Sequence, residues 1–116
     1  MTLDDARARL SRLARRKELR ISRWTKERPC EWRPLEVESP ETGLPFTEVR
    51  AWEFIADLLE SGHTLREVQL EQPPGEIGYE MVVDLKAGQP KLYIKVQFLG
   101  GVILGRSFHY SDREVS

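Results

Sequence analysis

Apolar and polar residues alternate with strand periodicity toward the C-terminal end of the chain. In Lys91-Leu92-Tyr93-Ile94-Lys95-Val96-Gln97-Phe98 the even positions are apolar and the odd ones polar or amphipathic. Successive side chains of a strand point to opposite faces, so Leu92, Ile94, Val96 and Phe98 are predicted to bury together, with Tyr93, Lys95 and Gln97 on the other side. After Leu99-Gly100-Gly101 a second strand is predicted to Tyr110, with Val102, Leu104 and Phe108 continuing the core. Ser107 and His109 then share the face of Tyr93 and Lys95. Ile77 to Leu85 is a third strand with apolar odd positions, which places Glu80, Val82 and Asp84 on the polar side.

Directly opposed residues of an antiparallel pair share a face. A three-residue turn at 99–101 pairs Tyr93 with Ser107, Lys95 with Gly105 and Lys91 with His109. A two-residue turn at Ala87-Gly88 pairs Asp84 with Lys91, Val82 with Tyr93 and Glu80 with Lys95. Arg106 breaks the pattern, since strict alternation aims it into the core, where an unpaired guanidinium is costly. A bulge at Gly105 that re-aims it onto the polar face is favoured over a position beyond the core's edge. A glycine inside a strand also marks close approach by a ligand or another backbone.

Upstream, the spacing of Leu3, Ala6, Leu10, Leu13 and Ala14 predicts an amphipathic helix over 3–20, capped by Thr2 and docked through Leu3, Leu10 and Leu13. Residues 21–46 are irregular, interrupted by Pro29, Pro34, Pro40 and Pro45. Stretches 21–24 and 35–38 are candidate short strands. A second helix is predicted over 48–61, with Thr47 as N-cap, Gly62 as C′ and an apolar stripe of Val49, Trp52, Ile55, Ala56 and Leu59. It should pack on the even-numbered face of strand 91–98. A short strand near 64–70 completes an α+β fold: one small domain over 1–116, with an antiparallel three- to four-stranded sheet and two helices. Within it, 1–35 form a basic helix and arm, and 43–110 form the helix-and-sheet core.

The formal net charge of −1 conceals an asymmetry. Residues 1–35 hold eleven Lys or Arg against five Asp or Glu, residues 36–90 three against twelve, and residues 91–116 four against two. Such blocks either serve a polyanion or attract one another within the fold. A lone cysteine fits a reducing compartment, and one cysteine with two histidines cannot build the usual zinc site. No run of about 18 apolar residues occurs, so no membrane span is expected. A cytoplasmic protein without metal or cofactor is the resulting expectation.

Leu92-Tyr93-Ile94-Lys95-Val96, a short loop, and an apolar strand ending Ser107-Phe108-His109 together resemble the C-terminal hairpin of the MqsR toxins. Those are RelE-type mRNA interferases of bacterial toxin–antitoxin systems. The likeness is firm over 91–109, looser over 43–85 and absent over 1–40. In the family the two strands read Tyr-x-Lys and Ser-Phe-Lys, so His109 stands in this chain where the family has lysine. The resemblance implies a RelE/barnase-like microbial ribonuclease fold, metal-independent cleavage of single-stranded mRNA and a cognate antitoxin. It places the catalytic tyrosine on Tyr93, the basic residue of the last strand on His109 and a polar catalytic residue near Glu80. The family's loop-borne lysine has no clean match in this chain, where Arg66 is the nearest residue.

Metal-free RNA cleavage needs a base for the 2′-hydroxyl, an acid for the leaving oxygen and cations for the phosphorane. His109 and Glu80 are the candidate proton carriers, Lys95 and Arg106 the cations, and Tyr93 a hydrogen-bond donor or stacking ring. Ser107, Lys91, Arg20 and Arg23 are candidate RNA contacts. Solvated cross-strand ion pairs would equally account for Glu80 with Lys95 and Asp84 with Lys91. Trp24 and Trp32, set among Arg20, Arg23, Lys26, Arg28 and Arg33, either stack bases or anchor the arm, and the area they bury favours anchoring. A non-catalytic partner-binding or immunity-type module, using the polar face as its interface, is the alternative.

Overall fold

Helix α1 (Leu3–Ala14) opens with a capping box in which Thr2 accepts from the backbone of Asp5 and the Asp5 carboxylate accepts from the backbone of Thr2. The computed structural model describes residues 1–86 and 88–111. Helix α2 (Glu48–Glu60) starts where the Thr47 hydroxyl accepts from Arg50 N–H. Both helices lie on one face of the sheet. Ala6, Leu10 and Ala14 of α1 join Ala51, Trp52, Ile55, Ala56 and Leu59 of α2 in one buried cluster with Leu92, Ile94, Val96, Ile103 and Phe108. No helix of the described residues is long and apolar enough to cross a membrane.

The helix predicted over 3–20 ends at Ala14, and it docks through Ala6, Leu10 and Ala14 with Leu13 packed against the same cluster, while Leu3 stays exposed. Arg15 caps it and pairs with Asp57 and Glu60 of α2, after which a 3-10 turn at 17–19 delivers the chain to β1 (Arg20–Ile21). Strand pairing thus overrides a helical pattern that continued in the sequence. The second of the parallel strands is β2 (Glu31–Trp32), and residues 34–36 form a 3-10 turn where a strand was a candidate.

The expected antiparallel sheet of three or four strands is larger and mixed. Among the described residues six strands form one sheet: β1, β2, β3 (Arg66–Gln69), β4 (Ile77–Val83), β5 (Leu92–Leu99) and β6 (Val102–Tyr110). From β3 through β4 and β5 to β6 the pairing is antiparallel, and both β1 and β2 run parallel to β6. Two-residue strands carry too little alternation to announce themselves in a sequence. The β4–β5 register is the predicted one, with Glu80 opposite Lys95 and Val82 opposite Tyr93. The turn predicted at Ala87-Gly88 includes Ala87, which lies outside the described residues.

The β5–β6 hairpin differs from expectation in a way that matters. Leu99 pairs with Val102, so the turn is Gly100-Gly101 alone, with Gly100 at φ 64° as a tight hairpin turn requires. Val102 and Leu104 therefore face away from the helices, and Ile103 enters the core instead. Val96 opposes Gly105 but Lys95 opposes Ser107, leaving Arg106 as the extra residue of a β-bulge. Beyond the bulge the parity reverses: Phe108 is buried against the helices, and Tyr93 faces His109 rather than Ser107.

Gly105 is required by a side chain. A Cβ there would stand 2.4 Å from Cζ3 of Trp32. That indole packs on Trp52 at 4.9 Å and Phe108 at 5.4 Å and donates to Glu48 at 2.9 Å, so it cannot give way. Gly105→Ala is expected to destabilise the fold by about 1–3 kcal/mol, the range for overpacking a tight core. Chemical denaturation checks this, and an unchanged midpoint would show that Trp32 repacks freely.

Candidate functional site on the polar sheet face

Four strands contribute a row to the face opposite the helices. Arg66 of β3 pairs with Glu80 of β4, Glu80 with Lys95 of β5, and Lys95 with Ser107 of β6. The neighbouring row runs Val82, Tyr93, His109. Alternation along each strand produces this, because every residue concerned sits one position off a core side chain.

Glu80 joins the rows. Its carboxylate is buried at 7% exposure, accepting from the Tyr93 hydroxyl at 2.6 Å on one oxygen and from Arg66 on the other. The predicted Glu80–Lys95 ion pair is absent: the carboxylate reaches diagonally to Tyr93, and Lys95 Nζ lies 5.8 Å from the Tyr93 ring centroid. Among the described residues no carboxylate comes within 4.0 Å of Lys95 Nζ. Tyr93 and His109 have ring centroids 5.6 Å apart. His109 Nδ1 stands 2.8 Å from the carbonyl of Tyr110, which can only accept. Nδ1 therefore carries a proton, and Nε2 is the basic nitrogen of the neutral ring.

Beside these rows opens a cleft of about 570 Å³, a volume in the range of small-ligand sites. Glu80, Tyr93, Lys95, Arg106 and Ser107 line its sheet side. One wall is the arm between β1 and β2, through Trp24, Pro29, Cys30 and Glu31, and the other runs from Val68 to Gln72. His109 does not line it and stands beyond Tyr93.

Arg106 faces the polar side, as a bulge allows, but holds the cleft together instead of offering a free cation. It is 6% exposed, and donates from Nε to Pro29 O at 3.0 Å, from Nη1 to Gln97 Oε1 at 2.6 Å and from Nη2 to Gln72 O at 2.5 Å. Burial pulls its guanidinium below the usual value, with Glu76 opposing. Gln97 in turn donates to Glu76 at 2.9 Å, and Glu76 receives both Nε and Nη2 of Arg28. Arm and β3–β4 loop are thereby tied to each other through one residue of the bulge.

The remaining candidates separate. Arg20 lies opposite Ile103, on the helix side, where it donates to Ala14 O at 2.7 Å; it is removed from the cleft by strand parity. Lys91 pairs with Asp84 at 3.7 Å, away from the cleft lining. Arg23 is exposed on the arm, next to Trp24. Part of the charge asymmetry is satisfied internally, Arg15 by Asp57 and Glu60 and Arg28 by Glu76. The two tryptophans divide: Trp32 anchors the arm in the core, and Trp24 stands 60% exposed at the cleft. Alternation places Gln97 on this face, but its bonds to Arg106 and Glu76, and the part of Gln72, have no signal in the sequence.

No protein-family model matches the chain, and no curated protein or solved structure gives a significant match.

Removing Arg106 would leave buried Gln97 and two carbonyls without their donor. Arg106→Met is expected to lower stability by about 2–4 kcal/mol in denaturant titration. Glu76 titrates the same tie. The hydrogen bonds from Arg28, then Gln97, hold its carboxyl below the ordinary range, so its contribution is complete at neutral pH and is lost as pH falls through that depressed value. Wild type should exceed Glu76→Gln in stability at neutral pH, with the gap closing below about pH 4. A gap independent of pH would remove Glu76 ionisation from the tie.

Proposed function

We propose that this chain is a metal-independent endoribonuclease, an mRNA interferase of the MqsR-like, RelE-type class, acting on single-stranded mRNA in the cytoplasm and held in check by a cognate antitoxin. One observation carries the reading. Tyr93, His109 and Glu80, the three positions to which the resemblance points, lie contiguously on one sheet face beside Lys95, Arg66 and an open cleft. Arg66 of β3 is bonded directly to Glu80.

The chemistry assigned to the face is transesterification. A base takes the proton of the ribose 2′-hydroxyl, O2′ attacks phosphorus, and the P–O5′ bond breaks as an acid protonates the leaving oxygen. His109 Nε2 serves one of these proton transfers. The Tyr93 hydroxyl, oriented by Glu80, serves the other. Lys95, which no carboxylate of the described residues approaches within 4.0 Å, supplies charge to the phosphorane, and Arg66, exposed on β3, adds to the positive field of this face. Glu80 is a positioning residue for Tyr93, and Arg106 is a positioning residue for the cleft walls. The products are a 2′,3′-cyclic phosphate and a 5′-hydroxyl.

Incubation of unstructured RNA with the protein in EDTA should yield those ends, and His109→Ala should lower the rate about 10²–10⁴-fold with the fold intact. Full activity of that variant would take His109 out of the mechanism. A wild type that cleaves neither free nor ribosome-bound RNA would reject the ribonuclease. In that event the non-catalytic interaction module stands, with the polar sheet face as its interface.

A further inference from the structure

The arm between β1 and β2 has a shape that the ribonuclease reading does not use. Ile21 pairs with Leu104 and Glu31 with Ser107, so only Gly105 and Arg106 of β6 lie between the two contacts while residues 22–30 leave the sheet and return. This excursion is anchored at many points. Arg28 clasps Glu76, Gln72 Nε2 donates to Lys26 O at 3.0 Å, and Arg106 holds Pro29 O. Thr25 and Arg28 close a turn at its tip, Arg28 N–H donating to Thr25 Oγ1 at 2.9 Å.

On this firmly held loop Trp24 is left 60% exposed, lining the cleft that also holds Lys95, Tyr93 and Ser107. Among the described residues its indole makes no hydrogen bond and no ring contact. Trp32, eight positions on, shows what an anchoring indole does in this fold: it stacks on two rings and donates to Glu48. Trp24 does none of this. An aromatic face carried on an anchored loop, across a cleft from a lysine that no carboxylate of the described residues approaches within 4.0 Å, matches the two demands of a single-stranded nucleic acid, a flat ring to stack and a phosphate to neutralise.

We infer that Trp24 is the stacking platform of a nucleobase subsite, in which a base of single-stranded RNA lies against the indole while its phosphate is held by Lys95. The inference rests on the polar face being an RNA site, and adds the arm, a segment outside the resemblance, as the element that grips the base. The preordered loop makes stacking cheap in entropy, because the arm is tied down before RNA arrives.

The test uses the full chain and a short 2′-O-methyl oligonucleotide, which binds but offers no 2′-hydroxyl for cleavage. Binding should quench tryptophan emission in wild type and not in Trp24→Phe, which should keep most of the affinity. Trp24→Ala should weaken binding about 5- to 100-fold at unchanged thermal stability, since its side chain is outside the core. Its dependence on salt should match wild type, whereas Lys95→Ala should flatten it. Abasic oligonucleotides, each lacking one base, should include one that binds wild type weakly and Trp24→Ala no worse than the intact strand. Equal affinity of wild type and Trp24→Ala, or no binding by wild type, would overturn the subsite. Cleavage by wild type with no Trp24 effect would sink the subsite and leave the ribonuclease standing. A Trp24-dependent affinity without cleavage would do the reverse.

Discussion

At the middle of β6 one residue too many is accommodated, and much of the molecule is arranged around it. A β-bulge displaces Arg106 from the ladder and reverses which side chains of β6 meet the helices, Ile103 before it and Phe108 after it. On the helix side the bulge leaves a gap over Gly105 that the Trp32 ring fills; on the opposite side it delivers a guanidinium that must be satisfied. A buried arginine is tolerable only with its donors occupied, and here a side-chain amide and two backbone carbonyls occupy them. Those carbonyls belong to Pro29 and Gln72, one from each wall of the cleft. The desolvation cost of one cation is thus offset by the contacts that shape the candidate site.

The two faces of the sheet divide the labour. The helix side is apolar and closed, with Trp52, Ile55, Leu10 and Phe108 excluding water. The polar side is part covered and part open, and its side chains form chains of bonds instead of isolated pairs: Arg66 to Glu80 to Tyr93 in one direction, Arg106 to Gln97 to Glu76 to Arg28 in the other. The second chain makes structure. The first presents a phenol and, beside it, an imidazole to an accessible surface. Lys95 lies between the two chains, and no carboxylate of the described residues comes within 4.0 Å of it, a placement that favours an anionic ligand.

Much of the sheet was legible in the sequence because alternation is a local signal. The β4–β5 register, the identity of the buried face of β5 and the gathering of Glu80, Tyr93, Lys95 and Ser107 on one side follow from period two and from turn residues. The bulge was legible for a different reason, since a glycine followed by an arginine in an apolar strand presents a conflict that few geometries resolve. The hairpin register was not legible, because Leu99-Gly100-Gly101 admits turns of two or three residues; the shorter turn moved Val102 and Leu104 off the core face and, together with the bulge, set His109 beside Tyr93. Nor were β1 and β2, whose two-residue lengths hold no period.

From composition and pattern alone come the α+β class, the second helix with its caps, the polar strand face and the need to remove Arg106 from the core. These depend on neighbours within a few residues, where side-chain direction and backbone preference act directly. Tertiary structure alone decided that Glu80 serves Tyr93 and not Lys95, that Arg20 faces the helices, and that Trp32 packs against the core while Trp24 does not. Each of those outcomes is a competition between partners far apart in the chain, settled by which groups the sheet brings within hydrogen-bonding distance, and no local pattern encodes that distance.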